Sequence, residues 1–203
     1  MFADAGVTGH LVSRAWNRLG ITHTLQRRFA DAATCYATSM RLRCEAGDLL
    51  GEAAVLTNLG HVQTAQGDLD AAEASFARAG GLYRKVNDSW GEALAHLNMA
   101  DVHVARNRLR RALSANRRAY VLAERAGIRS TEHYALCGMA DAARLAGHPR
   151  WAVDLYERCL AELANSADRR LRDAATEGLA LARRAAVSRS TEPGRTGGPP
   201  DRP

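Results

Sequence analysis

Apolar residues recur along the chain at the spacing of amphipathic helices and return in the same register every 40 residues. One column of large apolar residues consists of Leu19, Leu59, Met99, Met139 and Leu179. The residue after each of them is small: Gly20, Gly60, Ala100, Ala140 and Ala180. A fixed period without insertions over at least four units predicts stacked copies of one supersecondary unit.

A second pair of columns follows the first within each unit. One column is alanine throughout, at Ala32, Ala72, Ala112 and Ala152. The other holds a ring in three of four units, at Tyr36, Phe76, Asn116 and Tyr156. Small side chains allow two helices to approach closely, and the rings fill the space between hairpins. Asn116 is the exception, so we expect the third unit to pack less well.

Turn signals divide each unit into two helices. Gly67-Asp68 supplies a residue that tolerates positive φ and then an N-cap, and Gly147-His148-Pro149 stands at the same place in the fourth unit. A second turn recurs at 46–48, 86–88 and 126–128. The predicted fold is therefore all-α, a right-handed superhelix (α-solenoid) of antiparallel helix hairpins, with no strand pattern in the sequence.

The register sets the expected domain boundaries. We predict a repeat domain over 14–187, with units at about 14–53, 54–93, 94–133 and 134–173 and a capping helix at 174–187. Residues 1–13 resemble the end of a preceding repeat or an N-terminal extension, since Phe2-Ala3-Asp4-Ala5-Gly6 has the composition of a second-helix end. Residues 188–203 are rich in Ser, Pro and Gly, which predicts a disordered tail.

Composition and charge narrow the function classes. The net charge is +6, but the basic residues are spread among acidic ones, so nucleic-acid binding is not the favoured interpretation. The sequence shows neither an apolar run long enough for a membrane helix nor a signal-peptide pattern at its start, and we expect a cytoplasmic protein. The four cysteines, which form no Cys-x-x-Cys pair, are interpreted as reduced packing residues.

No combination of residues predicts catalysis. His96 and His103 lie near Asp101 in the sequence, but their spacing is not that of a zinc-binding helix. Serine, histidine and aspartate never occur in a nucleophile context. We therefore expect no enzyme activity, no cofactor and no metal site.

The columns resemble the tetratricopeptide repeat (TPR) family. Trp16-x-x-Leu19-Gly20 matches the first-helix motif of that family, and Leu56-x-x-Leu59-Gly60 matches it with leucine in place of tryptophan. The 40-residue length and the phrase Gly67-Asp68-Leu69-Asp70-Ala71-Ala72 are similar to the longer subclass found in kinesin light chains. The same subclass forms the C-terminal region of actinobacterial transcription regulators of the antibiotic-regulatory-protein type.

This resemblance implies that the first helix of each unit lines a concave groove that binds a partner. The groove positions then fall on Arg14, Asn17, Arg18, Ile21, Thr57, Asn58, His61, Leu97, Asn98, Asp101, Cys137, Gly138 and Asp141. Asn58 and Asn98 share one column, and an amide can both donate to and accept from a peptide backbone. Arg18, in the same column, could bind a carboxylate. The predicted groove is graded in charge along its length. Its N-terminal half carries Arg14, Arg18 and His61, and its other half carries Asp101 and Asp141.

Three function classes remain open from the sequence. The first is a protein-interaction scaffold that binds a peptide or protein in the groove. The second is a regulatory module of a transcription regulator, truncated or detached from its DNA-binding and nucleotide-binding domains. The third, an RNA-binding helical repeat, fits poorly because a 40-residue period lacks the base-reading pairs of shorter repeats. Self-association through an open N-terminal edge is a further possibility.

Overall fold

A computed structural model describes residues 2–164 and 166–190, and these residues form helices and connecting turns without a strand. The helices are α1 (Phe2–Leu25), α2 (Phe29–Ala46), α3 (Leu49–Gln66), α4 (Leu69–Lys85), α5 (Ser89–Ala105), α6 (Leu109–Ala126), α7 (Arg129–Leu145), α8 (Pro149–Glu162) and α9 (Arg169–Ser190). Helices α1 to α8 form four hairpins, and α9 packs on α8. The predicted all-α solenoid is confirmed.

Short capped turns connect the helices, as the sequence predicts. Gly67 has a left-handed φ of 82° and its neighbour Asp68 accepts a hydrogen bond from the backbone N–H of Ala71, so one turn ends α3 and begins α4. Asp48 and Asp88 cap α3 and α5 in the same way. These caps provide partners for backbone groups that a helix end would otherwise leave unsatisfied.

Each hairpin closes around the predicted alanine and ring columns. Ala32, Ala72, Ala112 and Ala152 are fully buried. A Cβ atom built on Gly20 would lie 2.6 Å from the ring of Tyr36, and one built on Gly60 would lie 2.6 Å from the ring of Phe76. The glycines therefore leave the space that the rings occupy within a hairpin. The rings also reach the next hairpin, since Tyr36 packs with Val55 and Val62 and Phe76 with Val102, so they fill the space between hairpins only in part.

Contacts between hairpins define the curvature of the solenoid. Neighbouring first helices contact one another directly in three of four cases, α1 with α3, α5 with α7 and α7 with α9, whereas α3 and α5 show no comparable contact among the described residues. Among the described residues, the second helices α2, α4, α6 and α8 show no comparable contact with one another. Close first helices and separated second helices place the concave side on the first-helix face.

The helix boundaries differ from the predicted domain boundaries in three places. The expected unit starts at 54, 94, 134 and 174 fall inside α3, α5, α7 and α9, because the motif residues lie within the first helix and the capping residues mark its true start. Helix α1 runs from Phe2 without a break near Gly6, so the expected end of a preceding helix is not seen there. The expected capping helix at 174–187 is part of the longer α9.

The predicted disordered tail is only partly within the structure. Residues 188–190 belong to α9, contrary to the expectation that the helix ends at 187. Serine and arginine do not break a helix, so the change in composition does not itself end α9. Residues 191–203 lie outside the described residues.

Two properties of the surface bear on partners. None of the described helices combines the length and apolar character that a membrane span requires. Helix α1 exposes large apolar side chains, including Leu11 at 58% and Leu25 at 80%. Self-association through this edge stays a prediction.

Two glycines with different surroundings, Gly81 in α4 and Gly60 in α3, generate a stability prediction. A Cβ on Gly81 would meet no heavy atom within 4 Å, so Gly81→Ala should stabilise the protein by about 1 kcal/mol through helix propensity. Gly60→Ala should destabilise it by about 1–3 kcal/mol, because the new methyl group overlaps the Phe76 ring. Thermal unfolding of both variants checks the pair. A melting temperature that moves in the same direction for both would contradict the packing described here.

Candidate partner-binding groove

The eight predicted partner-binding residues all lie on first helices. Helix α1 carries Arg14, Asn17 and Arg18, α3 carries Asn58 and His61, α5 carries Asn98 and Asp101, and α7 carries Asp141. The side chains range from partly to largely exposed. The concave face therefore holds polar groups that solvent or a ligand can reach.

Two of the predicted groove residues bind each other. The Asn58 Nδ2 atom donates to the Asn17 Oδ1 atom at 3.0 Å, which links α3 to α1. Part of the Asn58 hydrogen-bonding capacity therefore serves the solenoid itself. Within the described part of the chain, Asn98 makes no side-chain hydrogen bond, so its amide keeps its full capacity for a ligand.

Exposed groups in the middle of the groove are nevertheless partly desolvated. His61 is solvent-exposed, yet its ring lies 5.3 Å from the Phe76 ring and desolvation lowers its pKa. Asp101 is also exposed, and desolvation together with the nearby Asp141 carboxylate raises its pKa. Access to solvent combined with many surrounding protein atoms is typical of a concave surface.

The ring of the fourth hairpin helps to position an acidic groove residue. The Tyr156 hydroxyl donates to the Asp141 Oδ1 atom at 2.6 Å, and an Arg144 Nη atom lies 3.2 Å from the same oxygen. Burial and this carboxylate raise the pKa of Tyr156. Sequence reasoning missed both contacts, although Tyr156 and Asp141 each belong to a recognised column. Asp141 is thus partly neutralised, whereas Asp101 has no cationic partner among the described residues.

The cysteines differ in part from their interpretation as isolated packing residues. Cys137 and Cys159 lie in contact between α7 and α8, and the Cys159 thiol and burial raise the pKa of Cys137. All four cysteines are free thiols, but Cys44 is exposed rather than packed. Cys137 itself is buried beneath the groove, so it contributes volume rather than a contact surface.

The chemistry of the groove is that of binding groups. Within the residues that the structure describes, no three His, Cys, Asp or Glu side chains are grouped so that they could hold a metal ion. His96 and His103 are both buried on α5, and desolvation lowers the pKa of each. The groove offers amides, guanidinium groups and carboxylates along a surface, an arrangement suited to recognition of an extended ligand.

Comparison with known proteins agrees with the fold. Residues 11–85 match the model of the tetratricopeptide repeat family. The structure is similar to the nearly identical TPR-like repeats of a putative kinesin light chain from Podosopora anserina, with a TM-score of 0.71, 16% identity and coverage of 87% of this chain and 88% of that chain. A variant of that protein gives a TM-score of 0.72 at 16% identity, with 87% of each chain covered.

A second relative in structure is BtubC (BKLC) from P. vanneervenii, with a TM-score of 0.61 and 14% identity. The match covers 94% of this chain and 70% of that chain. At such low identities the similarity establishes a TPR-like solenoid and nothing finer. No curated protein sequence matches the chain significantly.

Asn58 and Asn98 occupy the same column of the repeat, but alanine substitution should change the stability unequally at the two positions. Asn58→Ala should destabilise the protein by about 1 kcal/mol, because it removes the hydrogen bond to Asn17. Asn98→Ala should change stability by less than about 0.5 kcal/mol, as expected for a surface residue without a partner. Urea unfolding measures both values, and an Asn17→Ala/Asn58→Ala cycle isolates the pair. Equal effects of the two alanine substitutions would show that the Asn17–Asn58 contact does not stabilise the fold.

Asp101 predicts a pH-dependent stability. Its pKa is raised in the folded protein, so folding favours the protonated form and the carboxylate costs stability as the pH rises above about 4. Asp101→Asn should therefore raise the melting temperature at pH 7, and this gain should disappear at about pH 3. Thermal unfolding across this range is the test. A gain that is independent of pH would exclude the desolvated carboxylate as its cause.

Proposed function

We propose that the chain is a non-catalytic interaction scaffold that binds an extended peptide or a protein segment along the concave groove of α1, α3, α5 and α7. The TPR-like fold supports a general role in protein interaction. The observation that carries the groove proposal is Asp101, which is exposed but partly desolvated between first helices that contact each other. A ligand can reach such a group, and the surrounding protein strengthens its electrostatic interactions.

Asn98 is the proposed clamp on the backbone of the ligand. Its amide donates and accepts at once and is not engaged by another described side chain, so it can bind a peptide group whatever the ligand sequence. Directly packed helices such as α5 and α7 lie roughly 8–10 Å apart. An extended peptide advances about 3.3 Å per residue, so about three ligand residues span two neighbouring first helices.

The charged side chains along the groove favour one orientation of the ligand. Arg14 and Arg18 provide positive charge at the α1 end, while the lowered pKa of His61 keeps that ring neutral at pH 7. Asp101 provides the negative charge at the α5 end, since Asp141 is paired with Arg144. A ligand with an acidic group toward α1 and a basic group toward α5 would therefore be favoured over the reversed orientation.

The functional groups of the groove and the four cysteines support two further parts of this proposal, the absence of catalysis and the cytoplasmic location. The groove presents amides and charges rather than a nucleophile beside a general base, which favours binding over catalysis. The free state of all four cysteines is consistent with a reducing compartment, so we place the protein in the cytoplasm. The partner is a protein or peptide, without a role for nucleic acid, membrane or cofactor in the groove.

A regulatory module of a transcription regulator is the second candidate. The phrases of the second unit, from Gly51-Glu52-Ala53 to Gly67-Asp68-Leu69, resemble the repeats of such regulators. The same groove would then bind another domain of the same system. The coding sequence upstream of Met1 distinguishes the two candidates, since only the second requires DNA-binding and nucleotide-binding domains in the same protein or next to it.

Peptides selected from a random display library with the parent chain test the groove directly. Asn98→Ala should weaken a selected peptide about tenfold, and Asp101→Lys should weaken it further and alter its salt dependence, in fluorescence anisotropy. Asp154→Lys is the matched charge reversal on the outer helix α8 and should leave the affinity within about twofold. The groove proposal fails when the three variants bind equally, or when only Asp154→Lys weakens binding.

A further inference from the structure

The outer surface between the second and third hairpins contains a basic cavity away from the groove. This outer notch, of about 580 Å³, lies between α4, α5 and α6 and is lined by Arg84, Glu92, His96, Arg117, Arg118 and Leu122 among others. Three guanidinium groups face one carboxylate. The notch is therefore net positive and keeps an apolar edge.

The single carboxylate of the outer notch is already occupied. Glu92 Oε1 accepts a hydrogen bond from Arg84 Nε at 2.7 Å. His96 Nε2 lies 3.9 Å from the same oxygen. Within the described residues, Arg117 and Arg118 have no acidic side chain within ion-pair distance, and both are exposed. Two neighbouring guanidinium groups thus present unused donors to the notch.

The repeat itself provides an internal comparison. The residues equivalent to Arg118 are Arg78 one hairpin earlier and Arg158 one hairpin later. Arg78 lies 3.8 Å from Glu52, the equivalent of Glu92, and Arg158 donates to Glu162 at 3.0 Å. Arg118 lacks such a partner because Arg84, which replaces the equivalent Cys44, binds Glu92 instead.

The residue before Arg118 is a second difference between the third hairpin and the others. Arg117 stands where the other hairpins have Ala77 and Glu157, so only the third hairpin carries adjacent arginines at this place. The neighbouring notch, toward the fourth hairpin around Tyr120, holds Glu124, Glu132 and Glu162 together with one arginine, Arg158, and is net negative. The outer notch is thus a positively charged surface beside a net negative one.

We propose that the outer notch is a second binding site, independent of the groove, for an acidic peptide segment. The carboxylates of Asp or Glu side chains would accept from Arg117 and Arg118, and an adjacent apolar side chain would contact Leu122. A strand of nucleic acid carries a charge at every step and would meet the carboxylates of the neighbouring notch. The outer notch holds no Phe, Tyr or Trp ring on which a base could stack, and the imidazole of His96 in its lining is buried.

The test uses the full chain and a short fluorescein-labelled peptide of glutamate residues with a central leucine. The parent should bind this peptide in fluorescence anisotropy, with weaker binding as salt increases. Arg117→Ala/Arg118→Thr installs the residues that other hairpins have at these positions, Ala77 and Thr38, and should weaken binding about tenfold or more. The single variant Arg117→Glu, with the residue of the fourth hairpin, should do the same and provides the test should the double variant fail to fold.

A matched control removes the same charge from the same helix. Arg110 and Arg125 are exposed on α6 outside the notch lining, so Arg110→Ala/Arg125→Ala should retain binding within about twofold. The proposal is overturned if the peptide does not bind the parent chain. It is also overturned if both double variants lose the same affinity, because the net charge of the chain alone would then explain binding. It is also overturned when labelled polyuridylate binds the notch more tightly than the peptide, or when the notch variants abolish self-association of the chain instead.

Discussion

Every hairpin depends on a contact in which a buried side chain of the second helix fills the space beside a small residue of a first helix. Tyr36 lies against Gly20 and Phe76 against Gly60, so these rings join the two helices of one hairpin. Asn116 lies against Gly138, and Tyr156 against Gly178 on α9, where the same column joins one hairpin to the next. Without a Cβ at those glycines, the helices can approach closely enough for the ring to exclude water from both. The stack, its curvature and the line of first helices all follow from this repeated contact.

The groove and the outer notch are consequences of the same geometry. Packing the first helices together and the second helices apart produces a concave side with polar residues from several hairpins and a convex side with gaps between hairpins. On the concave side a ligand meets groups that are accessible and partly desolvated, as Asp101 shows. On the convex side each gap is a separate surface, and the charge of the outer notch depends on a few residues such as Arg84 and Arg117. The same repeat thus forms both of the surfaces for which we propose a ligand.

The sequence predicted the features that depend on local chemistry or on the period. The predicted cap at Asp68 is confirmed because a cap involves only residues within one turn, and Asp48 and Asp88 cap α3 and α5 in the same way. The starts predicted at 54, 94, 134 and 174 lie five residues inside their helices, since they were counted from motif residues within the helix. The Asn17–Asn58 bond and the contact of Tyr156 with Asp141 could not be predicted, because both depend on side-chain conformations across two helices. The outer notch was missed for a related reason. Arg118 has no acidic partner among the described residues because Glu92 binds Arg84, and this pairing also depends on side-chain conformations across two helices.

The central claim is that ligands bind on the face of the first helices. Backbone amide chemical shifts, recorded while a groove-selected peptide is added to the isotopically labelled chain, test it most directly. The account predicts that the perturbed amides cluster on α1, α3, α5 and α7, around Asn98 and Asp101, with the amides of α4 and α6 largely unchanged. Perturbations concentrated on the second helices, or scattered over the whole chain without a common face, would contradict it.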